Sequence, residues 1–141
     1  MTWRADGRDE QATRSVRKEI VAEVAAKAAP GSDLFAVEVI AGELLSNVVR
    51  YTPGPFDAKV DWDDDGHAVL ELRDEGECPP VDVEPKLDAN SEHGRGLAIV
   101  RALGGRMRVE RDDGRGCRMR VALPARRGAD RSGARTATDS P

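Results

Sequence analysis

The chain has 141 residues, of which 39% are hydrophobic and 34% are charged, a composition typical of one globular domain with its own core. The net charge of −4 disfavours a direct nucleic-acid binder, because no dominant positive field attracts phosphates. No segment approaches the roughly 20 uninterrupted apolar residues of a membrane span, and the N-terminus lacks the apolar stretch of a signal peptide. Two cysteines, Cys78 and Cys117, are too few and too far apart for a disulfide framework or a zinc site. We therefore expect a reduced, cytoplasmic protein that does not associate with membranes.

Two amphipathic helices are predicted in the first part of the chain. They follow a polar segment at residues 1–10 that forms either a short edge strand or a loose arm. Apolar residues recur every four positions from Ala12 to Ala29, which is the spacing of one helix face. A second helix begins near Ser32 or Asp33, either of which is a suitable N-cap, and it ends before Pro53.

Four strands are predicted in the remainder of the chain, in two hairpins on either side of a third helix. Asp57–Trp62 and His67–Arg73 form the first hairpin, and Arg106–Arg111 and Gly116–Leu123 form the second. The third helix runs from Arg95 to Leu103. This order of elements predicts an α+β fold, a two-layer α/β sandwich with helices on one face of a mixed sheet.

The domain boundaries follow from composition. We place the folded domain at residues 11–124, after an N-terminal segment at 1–10. The tail at 125–141 has no aliphatic anchor and is predicted to be disordered. Within the domain, the stretch from Glu75 to His93 shows no periodicity and contains three prolines. A long structureless run inside a compact domain tends to be functional.

The turn Gly94-Arg95-Gly96, which leads into the helical pattern at Leu97, is the most informative motif. Glycine residues let backbone N–H groups point together at an anion. The N-terminus of the following helix adds its own free N–H groups and a partial positive charge. The motif predicts a phosphate site and hence a nucleotide ligand, although the same motif also occurs in turns that bind nothing.

Glu43 and Asn47 lie one turn apart on the second predicted helix, so their side chains share a face. An Asn carbonyl is a hard oxygen ligand suited to Mg²⁺, and a carboxylate one turn away could accept a proton from an attacking hydroxyl. The alternative is that both residues line the solvated face of an amphipathic helix.

Asp74-Glu75-Gly76 follows a predicted strand. A carboxylate at a strand end can accept a hydrogen bond from the exocyclic amine of adenine, and Gly76 would let the base approach the backbone. The alternative is an ordinary turn that ends the strand.

Together, and in this order, the three motifs resemble those of the GHKL ATPase superfamily. Glu43-Leu44-Leu45-Ser46-Asn47 resembles its N box, Asp74-Glu75-Gly76 its first glycine box, and His93-Gly94-Arg95-Gly96-Leu97 its second. The segment between the two glycine boxes would be the ATP lid. The short lid and the run from Asn47 to Pro53 make the chain most similar to the RsbW-like anti-sigma-factor serine/threonine kinases of actinobacterial type. The resemblance covers residues 11–123.

The resemblance implies ATP and Mg²⁺ as cofactors. Asn47 would hold Mg²⁺ against the phosphates, Glu43 would be the general base, and Asp74 would bind adenine with Gly76 making room. The phosphates would be bound by the second glycine box, that is by His93, Gly94, Arg95, Gly96 and Leu97. Members of this branch phosphorylate a serine or threonine on a small antagonist protein. When free of that antagonist they sequester a sigma factor, and they commonly form homodimers.

Two departures from the family pattern leave other functions open. Cys117 stands beside the adenine position, where relatives usually carry threonine, and a thiol is a weaker hydrogen-bond donor than a hydroxyl. Glu92 and His93 stand where some kinases carry an arginine that reaches the terminal phosphate. One alternative is a non-catalytic nucleotide-binding module that sequesters a partner. A second is a detached histidine-kinase catalytic domain, which the short lid and the absence of phosphoacceptor helices disfavour.

Overall fold

A computed structural model of the protein describes residues 1–51, 53–76, 98–111 and 116–129. The described part has two long helices, α1 (Glu10–Lys27) and α2 (Leu34–Tyr51). Neither of them, nor any other described helix, is long and apolar enough to cross a bilayer. The strands are β1 (Thr2–Asp6), β2 (Pro55–Trp62), β3 (His67–Asp74), β4 (Arg106–Arg111) and β5 (Cys117–Arg126).

Both long helices begin at an aspartate cap. Asp9 accepts a hydrogen bond from the N–H three residues on, at 3.0 Å, and Asp33 does the same with Ala36 at 3.0 Å. Each cap satisfies an N–H group that has no partner within the helix. Of the two predicted caps of α2, Asp33 is therefore the one used. The Ser32 hydroxyl instead accepts from the N–H of Arg126 at 3.1 Å.

A further helical stretch covers residues 98–102, within the predicted third helix. It ends at Gly104, which has a φ of 91°, a conformation that favours glycine. The Gly104 N–H donates to the Arg101 carbonyl at 3.0 Å, and the Gly105 N–H donates to the Val100 carbonyl at 2.9 Å. A side chain at Gly105 would lie 2.8 Å from Val100 Cγ1, so this tight turn into β4 requires glycine.

The five strands form one sheet in the order β1-β2-β3-β5-β4. Every pairing among them is antiparallel, whereas the sequence suggested a mixed sheet. The reason is that the chain crosses over after β3, and the β4–β5 hairpin then folds back so that β5 lies against β3. Residues 2–6 take the edge-strand alternative.

Both long helices pack on one face of the sheet, as predicted, and the core lies between the two layers. β5 continues to Arg126, beyond the predicted end at Leu123, and Ala125 belongs to the core with 2% of its surface exposed. The largest fully buried side chains of the core are Ile20, Val24, Val37, Ile40, Leu44, Leu45, Leu70, Val100, Val121 and Leu123.

Candidate functional site

Glu43 and Asn47 lie one turn apart in the second half of α2. Asn47 is only 8% exposed, and its Nδ2 atom is buried without a hydrogen-bond partner. Leaving a buried donor unsatisfied costs about 1–3 kcal/mol, so this atom marks a place for a ligand or an ordered water. Glu43 is half-buried and forms no ion pair or hydrogen bond in the part of the chain described. The solvated-face alternative is therefore wrong for Asn47.

Apolar neighbours fix the orientation of α2. Leu44, Leu45 and Val48 are each 5% exposed or less and pack in the core. Because these residues hold one face of the helix against the sheet, Asn47 is held at the edge of that buried face. Asn47 therefore lies beside the buried face of α2, with its side chain largely removed from solvent.

Asp74 is the last residue of β3 and is half-buried. It lies two residues after Leu72, on the same side of the strand, and that side faces the core. Asp74 Oδ1 accepts a hydrogen bond from the N–H of Gly76 at 2.7 Å, a local turn that fixes the orientation of the carboxylate. Its neighbours on the flanking strands are Phe56 and Cys117, both 2% exposed. The carboxylate thus has an apolar residue opposite it on each flanking strand, which suits an acceptor for a flat heterocycle.

Gly116 packs directly against this turn. Its φ is 99°, and a Cβ atom built there would overlap the carbonyl oxygen of Asp74 and lie 3.0 Å from the Cα of Glu75. Gly116 was predicted only as the first residue of a strand, and its contact with Asp74 was not predicted. A glycine immediately before a strand was the available signal, but the identity of its neighbour depends on the β3–β5 pairing.

Cys117 is buried and disulfide-bonded in this structure, which corrects the expectation of a reduced thiol. The other cysteine of the chain, Cys78, lies outside the described residues. A disulfide sulfur carries no hydrogen, so in this form Cys117 cannot be the weak thiol donor expected beside adenine.

The second glycine box, His93, Gly94, Arg95, Gly96 and Leu97, lies outside the described residues, as do the predicted lid and Glu92. The structure therefore positions the N box and the first glycine box and leaves the second as a prediction. Immediately after it, the helical stretch at 98–102 is present, with Val100 fully buried.

Two surface cavities border these elements. One of about 270 Å³ lies at the ends of β2 and β3. It is lined by Pro55, Phe56, Asp74 and Glu75 and by the charged side chains of Arg4, Asp57 and Arg73. The other, of about 360 Å³, lies between α1 and α2 and is lined by neither Asn47 nor Asp74. The first cavity therefore borders the predicted adenine-binding residue.

Solved structures share this fold. The mycobacterial sensor histidine kinase MprB superposes with a TM-score of 0.54 at 21% identity, over 89% of this chain and 99% of that one. Full-length ShkA in complex with AMPPNP superposes with a TM-score of 0.55 at 22% identity, over 89% of this chain and 32% of that one. This chain therefore spans about a third of ShkA. At such identities the likeness shows the fold alone.

Among curated proteins, no sequence matches significantly. The sequence profile of the histidine kinase-like ATPase domain, in contrast, matches residues 7–121, a range that contains α1, α2, β2, β3 and β4 and all three predicted motifs. The chain therefore belongs to the histidine kinase-like ATPase family of the GHKL superfamily.

Proposed function

We propose that this protein is an ATP-dependent regulatory kinase of the anti-sigma-factor type. It phosphorylates a serine or threonine on a small antagonist protein and, when free of that antagonist, sequesters a sigma factor. The observation that carries the proposal is the buried, unpartnered amide of Asn47 one turn from the half-buried Glu43. The run from Asn47 to Pro53 and the short segment between the two glycine boxes support this branch of the superfamily.

ATP binding is the property expected of this family, and the described residues fit it. Asp74 offers a carboxylate, already oriented by Gly76, to the exocyclic amine of adenine. Asn47 offers both a carbonyl oxygen and an NH₂ group, which exchange places by rotation of the amide. Its unpartnered end therefore suits a Mg²⁺ shell or a phosphate oxygen, and bound Mg²⁺ would neutralise charge on the phosphates.

The transfer step would place Glu43 beside the attacking hydroxyl. The hydroxyl oxygen of the antagonist forms a bond to the terminal phosphorus, the bond from that phosphorus to the ADP oxygen breaks, and Glu43 accepts the hydroxyl proton. Because no described basic side chain pairs with Glu43, its carboxylate is available to act as the base.

Two alternative functions are each favoured by one observation. A partner-sequestering module would bind nucleotide without transferring phosphate. Cys117 favours it, because cysteine has no hydroxyl where the family usually carries threonine and, as a disulfide, has no thiol hydrogen either. A detached histidine-kinase catalytic domain is favoured by the structural neighbours. One is a sensor histidine kinase, and the other was solved in complex with AMPPNP.

The three functions differ in the chemistry of the product. The purified protein is incubated with Mg²⁺ and γ-labelled ATP, together with each small antagonist-type protein of its source genome. Label on an antagonist that survives acid is phosphoserine or phosphothreonine and supports the proposal. Acid-labile, base-stable label on a histidine of a helical hairpin protein indicates the histidine-kinase alternative. ATP binding without transfer to any protein indicates the sequestering module.

A further inference from the structure

The solvent face of the sheet carries charged side chains in rows that cross the strands. One row contains Lys59, Glu71, Arg120 and Arg108, on β2, β3, β5 and β4 in turn. The charges of Lys59, Glu71 and Arg120 alternate in sign across the strands, as in favourable cross-strand pairs. The last pair does not, because Arg120 and Arg108 lie directly opposite each other.

Like charges directly opposite each other destabilise a sheet. Arg106 lies two residues from Arg108 on the same face of β4, so three arginines meet at one corner of the sheet, which we call the basic corner (Arg106, Arg108 and Arg120). All three are exposed, and none forms an ion pair with any residue in the described ranges. This face has two acidic residues nearby. Glu71 binds Arg118, with Oε1 3.4 Å from Nε, and Glu110 also lies opposite Arg118 rather than opposite Arg120.

The opposite half of the same face is neutralised. Arg4 binds Asp57 at 2.9 Å, and Lys59 binds Asp61 at 3.0 Å. The chain as a whole carries a net charge of −4, so the basic corner is a local reversal of the protein's charge. Excess positive charge gathered at one place, at a cost in sheet stability, indicates a surface that is complementary to an anion.

We propose that the basic corner is a docking surface for an acidic, extended segment of a partner protein. Residues two apart in an extended segment lie about 6.5–7 Å from each other on one side of the chain, which is also the spacing of Arg106 and Arg108 along β4. Two carboxylates in such a segment can therefore face Arg106 and Arg108 on β4. Arg120 lies on β5, the next strand towards β3.

Other occupants fit this corner less well. A second copy docked by the same patch would bring six arginines together, and the acidic chain repels nucleic acid elsewhere on its surface. The basic corner also faces away from the core, whereas Asp74 lies on the core side of β3. The docking proposal therefore stands independently of the proposed kinase function.

The test measures fluorescence anisotropy of a labelled ten-residue peptide of alternating glutamate and threonine, at low and at near-physiological salt. The test variant is R108Q/R120Q, and the matched control is R4Q/K59Q, which removes the same charge from the neutralised half of the face. Because exposed ion pairs are individually weak, we expect the peptide Kd to rise about five- to tenfold in the test variant and less than about twofold in the control.

Unfolding curves of both variants verify that they fold, and R106Q/R108Q serves as a second test variant with the same expected loss. A peptide with glutamine in place of glutamate should not bind. Equal weakening in the test and control variants would overturn the proposal, because it would show attraction to net charge alone. Tighter binding of a single-stranded DNA of similar length than of the acidic peptide would overturn it in favour of a nucleic-acid surface, and so would the absence of peptide binding at low salt.

Discussion

Gly116 and Asp74 lie so close that residue 116 cannot carry a side chain without displacing the backbone of the first glycine box. A Cβ atom at Gly116 would overlap the Asp74 carbonyl oxygen. Gly116, immediately before β5, thus supports the carboxylate predicted to recognise adenine. The position of the Asp74 carboxylate therefore depends on the pairing of β3 with β5.

Gly116→Ala should therefore weaken ATP binding and also lower the free energy of unfolding. The left-handed φ of 99° alone costs an alanine about 1–2 kcal/mol, and the overlap adds to this. The matched control is Gly66→Ala, because Gly66 has a φ of 84° with no atom within 4 Å of a built Cβ. Calorimetric titration should show loss of ATP affinity in Gly116→Ala only. Thermal unfolding measures the loss of stability in each variant. Equal ATP affinity in the two variants would contradict a supporting role for Gly116.

Asp74→Asn should reduce ATP affinity roughly ten- to a hundredfold, because a hydrogen bond to a charged group is worth about 1.5–3 kcal/mol. The fold should survive, since an asparagine oxygen can still accept from the Gly76 N–H. Asp61→Asn is the control. Asp61 lies on the neighbouring strand, pairs with Lys59 on the solvent face and does not line the cavity beside Asp74, so ATP affinity should be unchanged. Titration calorimetry that finds wild-type affinity in Asp74→Asn would remove Asp74 from the site.

The local elements of this fold were predictable, and the long-range pairings were not. Helix α2 follows from apolar spacing and an aspartate cap, and β4 follows from alternation between two glycine-containing turns. The position of β5 between β3 and β4 depends on contacts between residues 43 or more positions apart, such as Asp74 with Cys117. No local pattern encodes such a contact.

In the candidate site, too, the local features were predictable and the long-range ones were not. Asn47 and Asp74 were found because each sits in a short motif whose chemistry can be read from neighbouring residues. The support from Gly116 was missed, because it depends on which strand lies next to β3. The like-charge pair of Arg108 and Arg120 was hidden for the same reason, since each arginine alone is an ordinary exposed strand residue.

Asn47→Ala should separate stability from ligand binding. The Nδ2 atom is buried without a partner, and its removal relieves an unsatisfied donor, so the apo protein should be as stable as the wild type or more stable. The increase in melting temperature caused by Mg²⁺ and ATP should fall sharply, because the variant loses the group that holds the metal. Ser46→Ala, at an exposed neighbouring position, should leave both quantities unchanged. A variant that is destabilised without ligand yet keeps its full response to Mg²⁺ and ATP would show that Asn47 is a packing residue.

Glu43→Gln should retain ATP binding and lose phosphate transfer to the antagonist. A general base acts on the attacking hydroxyl and need not hold the ground-state nucleotide, so kcat should fall by about 10²–10⁴ while ATP affinity changes little. Glu38→Gln is the control on the same helix. Its carboxylate is exposed and lies 3.7 Å from Arg17, so kcat should stay close to that of the wild type. Single-turnover measurements of phosphate transfer give the effect on rate, and ATP titration gives the effect on affinity. Parallel losses of affinity and rate in Glu43→Gln would mean that Glu43 positions the nucleotide, and an unchanged rate would exclude it as the base.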